Sequence, residues 1–300
     1  MPPARVAVPR PTRAREPAPR VSSRRRPRPA SATAAKIYAV VMQPILKKYP
    51  RTRHVETSRF QHGDHDLEAV PFKDIQGRYL VVEEKMDGAN AGLSFTPDGQ
   101  LLLQSRGHYL TGGPRERHFN RFKQWAHSHA EDLYLALGER HILYGEWLYA
   151  KHTCFYDRLP HHFMEFDIYD REQDLFLSTA RRRQMLAGLP VVSVAVLWEG
   201  RPARLAELTG LVGPSLFKSP RWRDALIEAG AAAGVPAAQV VAETDRDDAM
   251  EGLYIKVEDD ERVLERLKWV RPGFLSAVTD SGSHWLDRPI VANRLADDEA

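Results

Sequence analysis

The stretch YLVVEEKMDGANAGLSF, residues 79–95, constrains the fold more than any other part of the chain. Val81, Val82 and their flanks are β-branched or aromatic, and they run straight into Asp87-Gly88, the dipeptide that best tolerates positive φ in a tight turn. A second apolar run, Ala91 to Phe95, comes immediately after. The pattern predicts a β-hairpin with Lys85 at its mouth, its ammonium held by stiff backbone. One reading of these residues is a surface hairpin with a solvated lysine. The other is a nucleophile, and the motifs further along the chain decide between them.

After the hairpin, Pro97-Asp98-Gly99 signals a turn, and LLLQSRG from Leu101 predicts a neighbouring strand ending at Arg106. Residues 115–137 read as a helix, with Phe119, Phe122, Ala126 and Leu133 on one face and Gly138 stopping it. HILYGEWLY and FMEFDIYD read as buried strands carrying Glu146, Glu165 and Asp167. Carboxylates are rarely buried without partners, so these strands are expected to line a wet cleft. Ser178 caps a predicted helix through Leu186, Val191 to Leu197 reads as a strand, and Arg223 to Ala233 as a helix. Glu251 to Val257 and Leu264 to Val270 close the series as strands. The histidines around His108, His118, His127, His129 and His141 match no metal-binding spacing.

Charge divides the chain. Nine arginines and Lys36 against Glu16 give residues 1–36 a charge of +9, which leaves −6 for the remainder of a chain whose net charge is +3. Residues 1–35, with RRRPRP at Arg24 to Pro29, hold too few apolar residues to pack and too much proline for a helix. They read as a disordered Arg/Pro-rich tail before a domain over 36–300. The tail is either a salt-sensitive RNA tether or an inert extension, with Met42 an alternative start. A helical period from Lys36 to Lys48 is interrupted by Pro44, and Lys48 and Arg59 are candidate phosphate contacts. One cysteine, Cys154, excludes an intramolecular disulfide and a thiolate zinc site. No apolar run approaches the ~20 residues that span a bilayer. The expectation is a soluble, cytoplasmic protein without membrane contact.

A free lysine has a pKa near ~10.4, so at neutral pH fewer than about one in a thousand would be nucleophilic. Nearby cations lower that value, and Arg106, Lys256 and Lys268 are the expected neighbours of Lys85. The same cations suit a triphosphate. Glu146 and Glu251 supply hard oxygens for Mg²⁺ or Mn²⁺, and Phe166 an aromatic face for a purine. Neither GxxxxGK[ST] nor a GxGxxG following a strand is present, so a P-loop mechanism is not supported.

Taken in order, KMDG at Lys85, SRG at Ser105, YGEW at Tyr144, FMEFDIYD at Phe163, EGLYIK at Glu251 and RLKWVR at Arg266 resemble the covalent nucleotidyltransferase superfamily of polynucleotide ligases and capping enzymes. The resemblance, over about residues 50–290, is strongest to the phage RNA-ligase-2-like branch. It implies an α+β adenylyltransferase domain, antiparallel sheets flanking a nucleotide cleft with helices outside. It further implies that Lys85 attacks the α-phosphate of ATP to give lysyl-AMP. Glu84 would lie near the adenine, Phe166 would stack on it, and Arg106 and Glu146 would hold ribose and phosphates. Glu251 would sit near a catalytic metal, and Lys268 would contact the α-phosphate. Asn90 stands where DNA ligases carry arginine and RNA-ligase-2-like enzymes asparagine. Where the family has Lys-x-Lys this chain has Arg266-Leu267-Lys268, which leaves the role of Arg266 open.

Only 29 residues, 272–300, lie beyond the last motif, too few for an OB-fold. They are expected to pack back on the domain with Trp285 as anchor. The implied activity is an ATP-dependent RNA ligase that joins 5′-phosphate to 3′-hydroxyl ends, with an end-healing kinase or phosphatase left open as a further partner. A DNA nick ligase and a non-ligating module that senses nucleotides or RNA ends are the alternatives.

Overall fold

The computed structural model describes residues 45–60, 68–274 and 289–296. Its strands are β1 (Arg53–His54), β2 (Leu80–Glu84), β3 (Ala89–Phe95), β4 (Leu101–Ser105), β5 (His141–Trp147), β6 (Phe163–Asp170), β7 (Leu175–Leu177), β8 (Val192–Ser193), β9 (Val196–Gly200), β10 (Gly252–Glu258) and β11 (Arg262–Val270). They form an 11-stranded sheet in the order β4-β3-β5-β6-β7-β11-β10-β2-β9. Neighbours in this order pair antiparallel, and the two-residue strands β1 and β8 lie parallel to β11 and β6.

The expected hairpin at Asp87-Gly88 does not form. Strand β2 pairs with β10 and β9, whereas β3 pairs with β4 and β5. Residues 85–88 are instead a crossover between two halves of the sheet. Gly88 is not left-handed. It is small because β5 runs past it, and an added Cβ would lie 2.7 Å from the Trp147 carbonyl oxygen. Asp-Gly turn preference is a local signal, and the pairing of β2 on both edges overrides it. The strand expected from Val191 to Leu197 divides in the same way. Its first part, β8, joins β6, its second, β9, joins β2, and Val194-Ala195 form a second crossover.

Period-two alternation explains which faces are buried. Leu80 and Val82 of β2 pack with Leu253, Ile255 and Leu267 in one core. Val81 and Glu83 point the opposite way, on the same face as Tyr254 and Lys256, their register partners. In the other half Leu93, Leu143, Phe163 and Ile168 pack under helices α1 (Asn120–Ser128) and α2 (Ala130–Leu137) through Phe122, Ala126 and Leu133. Each buried Leu, Ile, Val or Phe side chain among these contributes about 1.5–3 kcal/mol.

The single helix expected over 115–137 is broken at His129, which has φ −116° and ψ 16°. Ser128 Oγ donates back to the Trp125 carbonyl, and Glu131 and Asp132 occupy the first turn of α2, where acids are favoured. The predicted apolar face survives the break, and Gly138, at φ 54°, ends α2. Further on lie α3 (Thr179–Met185), capped by Ser178 Oγ, then α4 (Leu205–Thr209), α5 (Trp222–Ala232) and α6 (Ala237–Ala242).

Residues 289–296 pack against the segment that joins β5 to β6, bridging Ala150 with Ala292 and Leu159 with Leu295. Trp285, the 1–35 tail and most of the helical period after Lys36 lie outside the described residues. Leu46 to Lys48, which are described, are not helical. Among the described residues no helix is long and apolar enough to cross a membrane.

Candidate active site

Both crossovers border one cavity of about 1080 Å³, a volume that suits a nucleotide. Lys85 is the first residue past β2. Its amide donates to the Gly252 carbonyl at 3.0 Å. Its ammonium stands 2.8 Å from Glu251 Oε1, the lysine side chain 20% exposed and the glutamate wholly buried. Beside Glu251, Gly252 lets β10 run close to β11: an added Cβ would meet the Trp269 carbonyl oxygen at 2.0 Å.

Asp87 anchors the crossover. Its Oδ2 accepts from the amides of Thr153 and Cys154 at 2.7 and 2.6 Å, and its own amide donates to the Tyr156 hydroxyl at 3.0 Å. The Gly88 amide donates to Glu146 Oε1 at 3.1 Å.

These placements set the charges. Burial pushes the Lys85 ammonium down, but Glu251, Asp87 and Glu146 outweigh it and hold its pKa above the ordinary lysine value. The expectation that surrounding cations depress Lys85 is therefore corrected, since its nearest charged partner is a carboxylate. Burial pushes the carboxyls of Glu251 and Glu146 up to about 7 against the pull of Lys85. Glu84 is also pushed up by burial to about 7, although Ser215 Oγ and the Leu216 amide donate to it at 2.5 and 3.1 Å.

Of the residues singled out in the sequence, Glu84, Lys85, Asn90, Arg106, Glu146, Phe166 and Lys268 line the cavity. Glu251 sits behind Lys85. Asn90 and Glu146 are register partners on β3 and β5, and Asn90 Oδ1 is buried without a hydrogen bond. Arg59 is spent elsewhere, donating to the carbonyls of Pro272 and Phe274.

Lys256 is not at the cavity surface. Its ammonium lies 3.1 Å from Glu83 and 3.3 Å from Asp167, and it donates to the Phe166 carbonyl. Arg182, on α3, bridges Glu83 at 2.6 Å and Glu165 at 3.0 Å. Arg266 lies 3.8 Å from Asp167, with its guanidinium 3.6 Å from the centre of the Phe176 ring. Three cations thus neutralise three carboxylates inside the protein. Glu165 and Asp167 do not line a wet cleft, as their strand pattern suggested. They are wholly buried and paired. The cation that makes this possible, Arg182, belongs to a distant helix and carried no strand signal.

Sequence reasoning also missed Tyr49 and Tyr254, which line the cavity beside Phe166. Their hydroxyls bond to each other and Tyr49 donates to Asp167. The Phe166 ring lies 5.2 Å from Tyr49 and 5.9 Å from Tyr254, forming an aromatic wall. Tyr254 was visible as the alternate of Lys256 in EGLYIK. Nothing in the chain around Tyr49 pointed to it.

Apart from Tyr49, the cavity residues described above fall within one known pattern: the sequence model of the RNA ligase family matches residues 78–270. The chain belongs to the RNA ligase family. Among solved structures, a Naegleria gruberi RNA ligase with pyrophosphate is similar at a TM-score of 0.51 and 19% identity, over 79% of this chain and 60% of that one. A mutant of that ligase with ATP and manganese gives 0.49 at 17% identity over 79% and 60%. An archaeal ATP-dependent RNA ligase gives 0.47 at 16% identity over 76% and 49%. This RNA ligase family member thus spans 60% of the length of the Naegleria enzyme. The likeness to that enzyme is one of fold. No curated protein matches the chain in sequence.

Proposed function

We propose that this chain is an ATP-dependent RNA ligase working through a lysyl-AMP intermediate at Lys85. The observation that carries the reading is the Lys85–Glu251 pair, 2.8 Å apart at the edge of a nucleotide-sized cavity inside an RNA ligase family domain. Lys85 rests as an ammonium and gives up one proton to become a nucleophile. Glu251, with a carboxyl pushed up to about 7, stands where it can accept that proton. As Lys85 Nζ bonds to the α-phosphorus of ATP, its second proton passes to solvent and pyrophosphate departs with the electrons of the broken P–O bond. A 5′-phosphate oxygen then displaces Lys85 from the AMP, and the leaving nitrogen takes a proton back from solvent. Finally a 3′-hydroxyl attacks the activated phosphate, its proton passes to solvent, and AMP leaves with the electrons of the broken P–O bond.

Phe166, with Tyr49 and Tyr254 beside it, offers the base an aromatic surface, and Arg106 and Lys268 offer charge to the phosphates. Glu146 and the buried, unbonded Asn90 Oδ1 are hard oxygen donors that fit a divalent cation, Mg²⁺ or Mn²⁺. Glu251, the other expected ligand, pairs with Lys85 through its Oε1. Among the described residues no three His, Cys, Asp or Glu side chains form a complete metal site, which suits an ion that keeps waters and substrate phosphates as ligands. Such an ion would neutralise charge on the phosphates.

RNA is the expected substrate at the 3′-hydroxyl side. A site that hydrogen-bonds a 2′-hydroxyl rejects DNA, because its polar groups are left unpaired. Four nicked duplexes with RNA or DNA on each side of the nick test this. Sealing should be efficient when the 3′-hydroxyl strand ends in ribonucleotides and poor when it ends in deoxyribonucleotides. Equal rates on all four would favour a DNA nick ligase.

A further inference from the structure

Three of the hydrogen bonds that fix the Lys85 crossover involve residues 153–156: two amides donate to Asp87 Oδ2, and the Tyr156 hydroxyl accepts from the Asp87 amide. These residues belong to no helix or strand. They are nonetheless sealed from water, Cys154 at 0% and Tyr156 at 1% exposure. Something outside the loop must hold it, and residues 289–296 do so. Lys151 N donates to the Val291 carbonyl at 2.8 Å, Arg294 N to Tyr156 O at 3.0 Å, and Leu159 N to Arg294 O at 3.1 Å.

Asn293 is the centre of this seam. It is 3% exposed, and all its polar groups are engaged with residues 148–162. Its Oδ1 accepts from the Tyr156 amide at 2.9 Å, and its Nδ2 donates to the Leu148 carbonyl at 2.7 Å. Its amide donates to Tyr149 O at 2.9 Å, and His162 Nε2 lies 3.1 Å from its carbonyl oxygen. A buried amide with every group paired penalises each alternative arrangement by the cost of the bonds left unmade. Residues 289–296 lie outside the 78–270 span of the family match, so nothing in that match assigns them a role.

We propose that Asn293 is a positioning residue for the nucleophile: by fixing Tyr156 and the Leu148 carbonyl, it holds the crossover that aims Lys85 into the cavity. The path is short and stiff, from the Asn293 amide to the Tyr156 backbone, through a buried ring to the Asp87 amide, two residues from Lys85. Small displacements of a nucleophile are costly in rate, so a seam that contacts no substrate can still govern the chemical step. The inference rests on the reading of Lys85 as the nucleophile.

The test is single-turnover self-adenylation of the full chain with labelled ATP, comparing wild type, Tyr156→Phe, Asn293→Ala, the double variant, Arg294→Ala and Lys85→Ala. Tyr156→Phe and Asn293→Ala should each slow labelling at saturating ATP by about tenfold, with the half-saturating ATP concentration moving less than about twofold. The double variant should be no slower than the slower single one, because the two act through one path. Arg294→Ala, which loses only an exposed bond to Glu228, should label at the wild-type rate. If Asn293→Ala fails to fold, Asn293→Asp, which keeps the Oδ1 acceptor for the Tyr156 amide and loses the donor to the Leu148 carbonyl, takes its place with the same expected slowing. Wild-type rates in the single variants, fully additive losses in the double variant, or an equal loss in Arg294→Ala would overturn the proposal. Label on Lys85→Ala would instead remove the nucleophile reading on which it rests.

Discussion

Glu251 and its neighbours hold Lys85 as an ammonium, while burial works against charge on the carboxyls themselves. Burial raises Glu146 from the ordinary value of 4.5 to about 7, so between those pH values the native state keeps a proton that the unfolded chain has released. Stability from this group is fully present below pH 4.5 and is lost as pH rises through about 7. Glu146→Gln, which keeps the carbonyl acceptor for the Gly88 amide, should therefore stabilise the ligand-free protein at pH 8 by on the order of 1 kcal/mol, after discounting solvent screening. It should do little at pH 5, and metal-dependent self-adenylation should fall sharply. Urea unfolding of both proteins at the two pH values checks this, and equal stability at pH 8 would contradict it. At this scale the ordered motifs pointed to several residues that line the cavity, but Lys256, from the same motifs, lies buried away from it. Lys85, Glu146 and Lys268 were found that way. Tyr49 was not, because its link to Phe166 exists only after the chain before β1 folds over the sheet.

Strands and helices tell a different story. The order and extent of β5, β6, β10 and β11 were legible in apolar alternation, and FMEFDIYD matched β6 end to end. The hairpin after β2 was misread because turn chemistry is local, whereas strand pairing depends on partners about 110 and 170 residues away, β9 and β10. The acids of β6 were misread for a related reason: their cations arrive from α3, β10 and β11. Removing one of those cations should be severe. Lys256→Met leaves Glu83 and Asp167 short of a partner, and we expect a loss of about 3–5 kcal/mol in unfolding free energy. Chemical denaturation measures it, and a loss below about 1 kcal/mol would mean that the buried ion cluster tolerates an uncompensated carboxylate.

Across the whole molecule, the two halves of the sheet meet at the crossovers, and the cavity lies where both crossovers run. Residues 1–35 carry none of the six motifs, so deleting residues 1–34 should leave self-adenylation unchanged. At low salt the truncated chain should bind RNA more weakly than wild type, and the difference should fade as ionic strength rises. Filter binding across a salt series reads this, and lost adenylation on truncation would make the tail part of the working fold. The central claim remains that Lys85 is the nucleophile. Its most direct measurement is denaturing electrophoresis after incubation with divalent metal and ATP labelled at the α-phosphate. Wild type should retain label on the protein, while folded Lys85→Ala and Lys85→Arg should retain none, since a guanidinium is never appreciably neutral. Label at the wild-type rate on either variant would contradict the account.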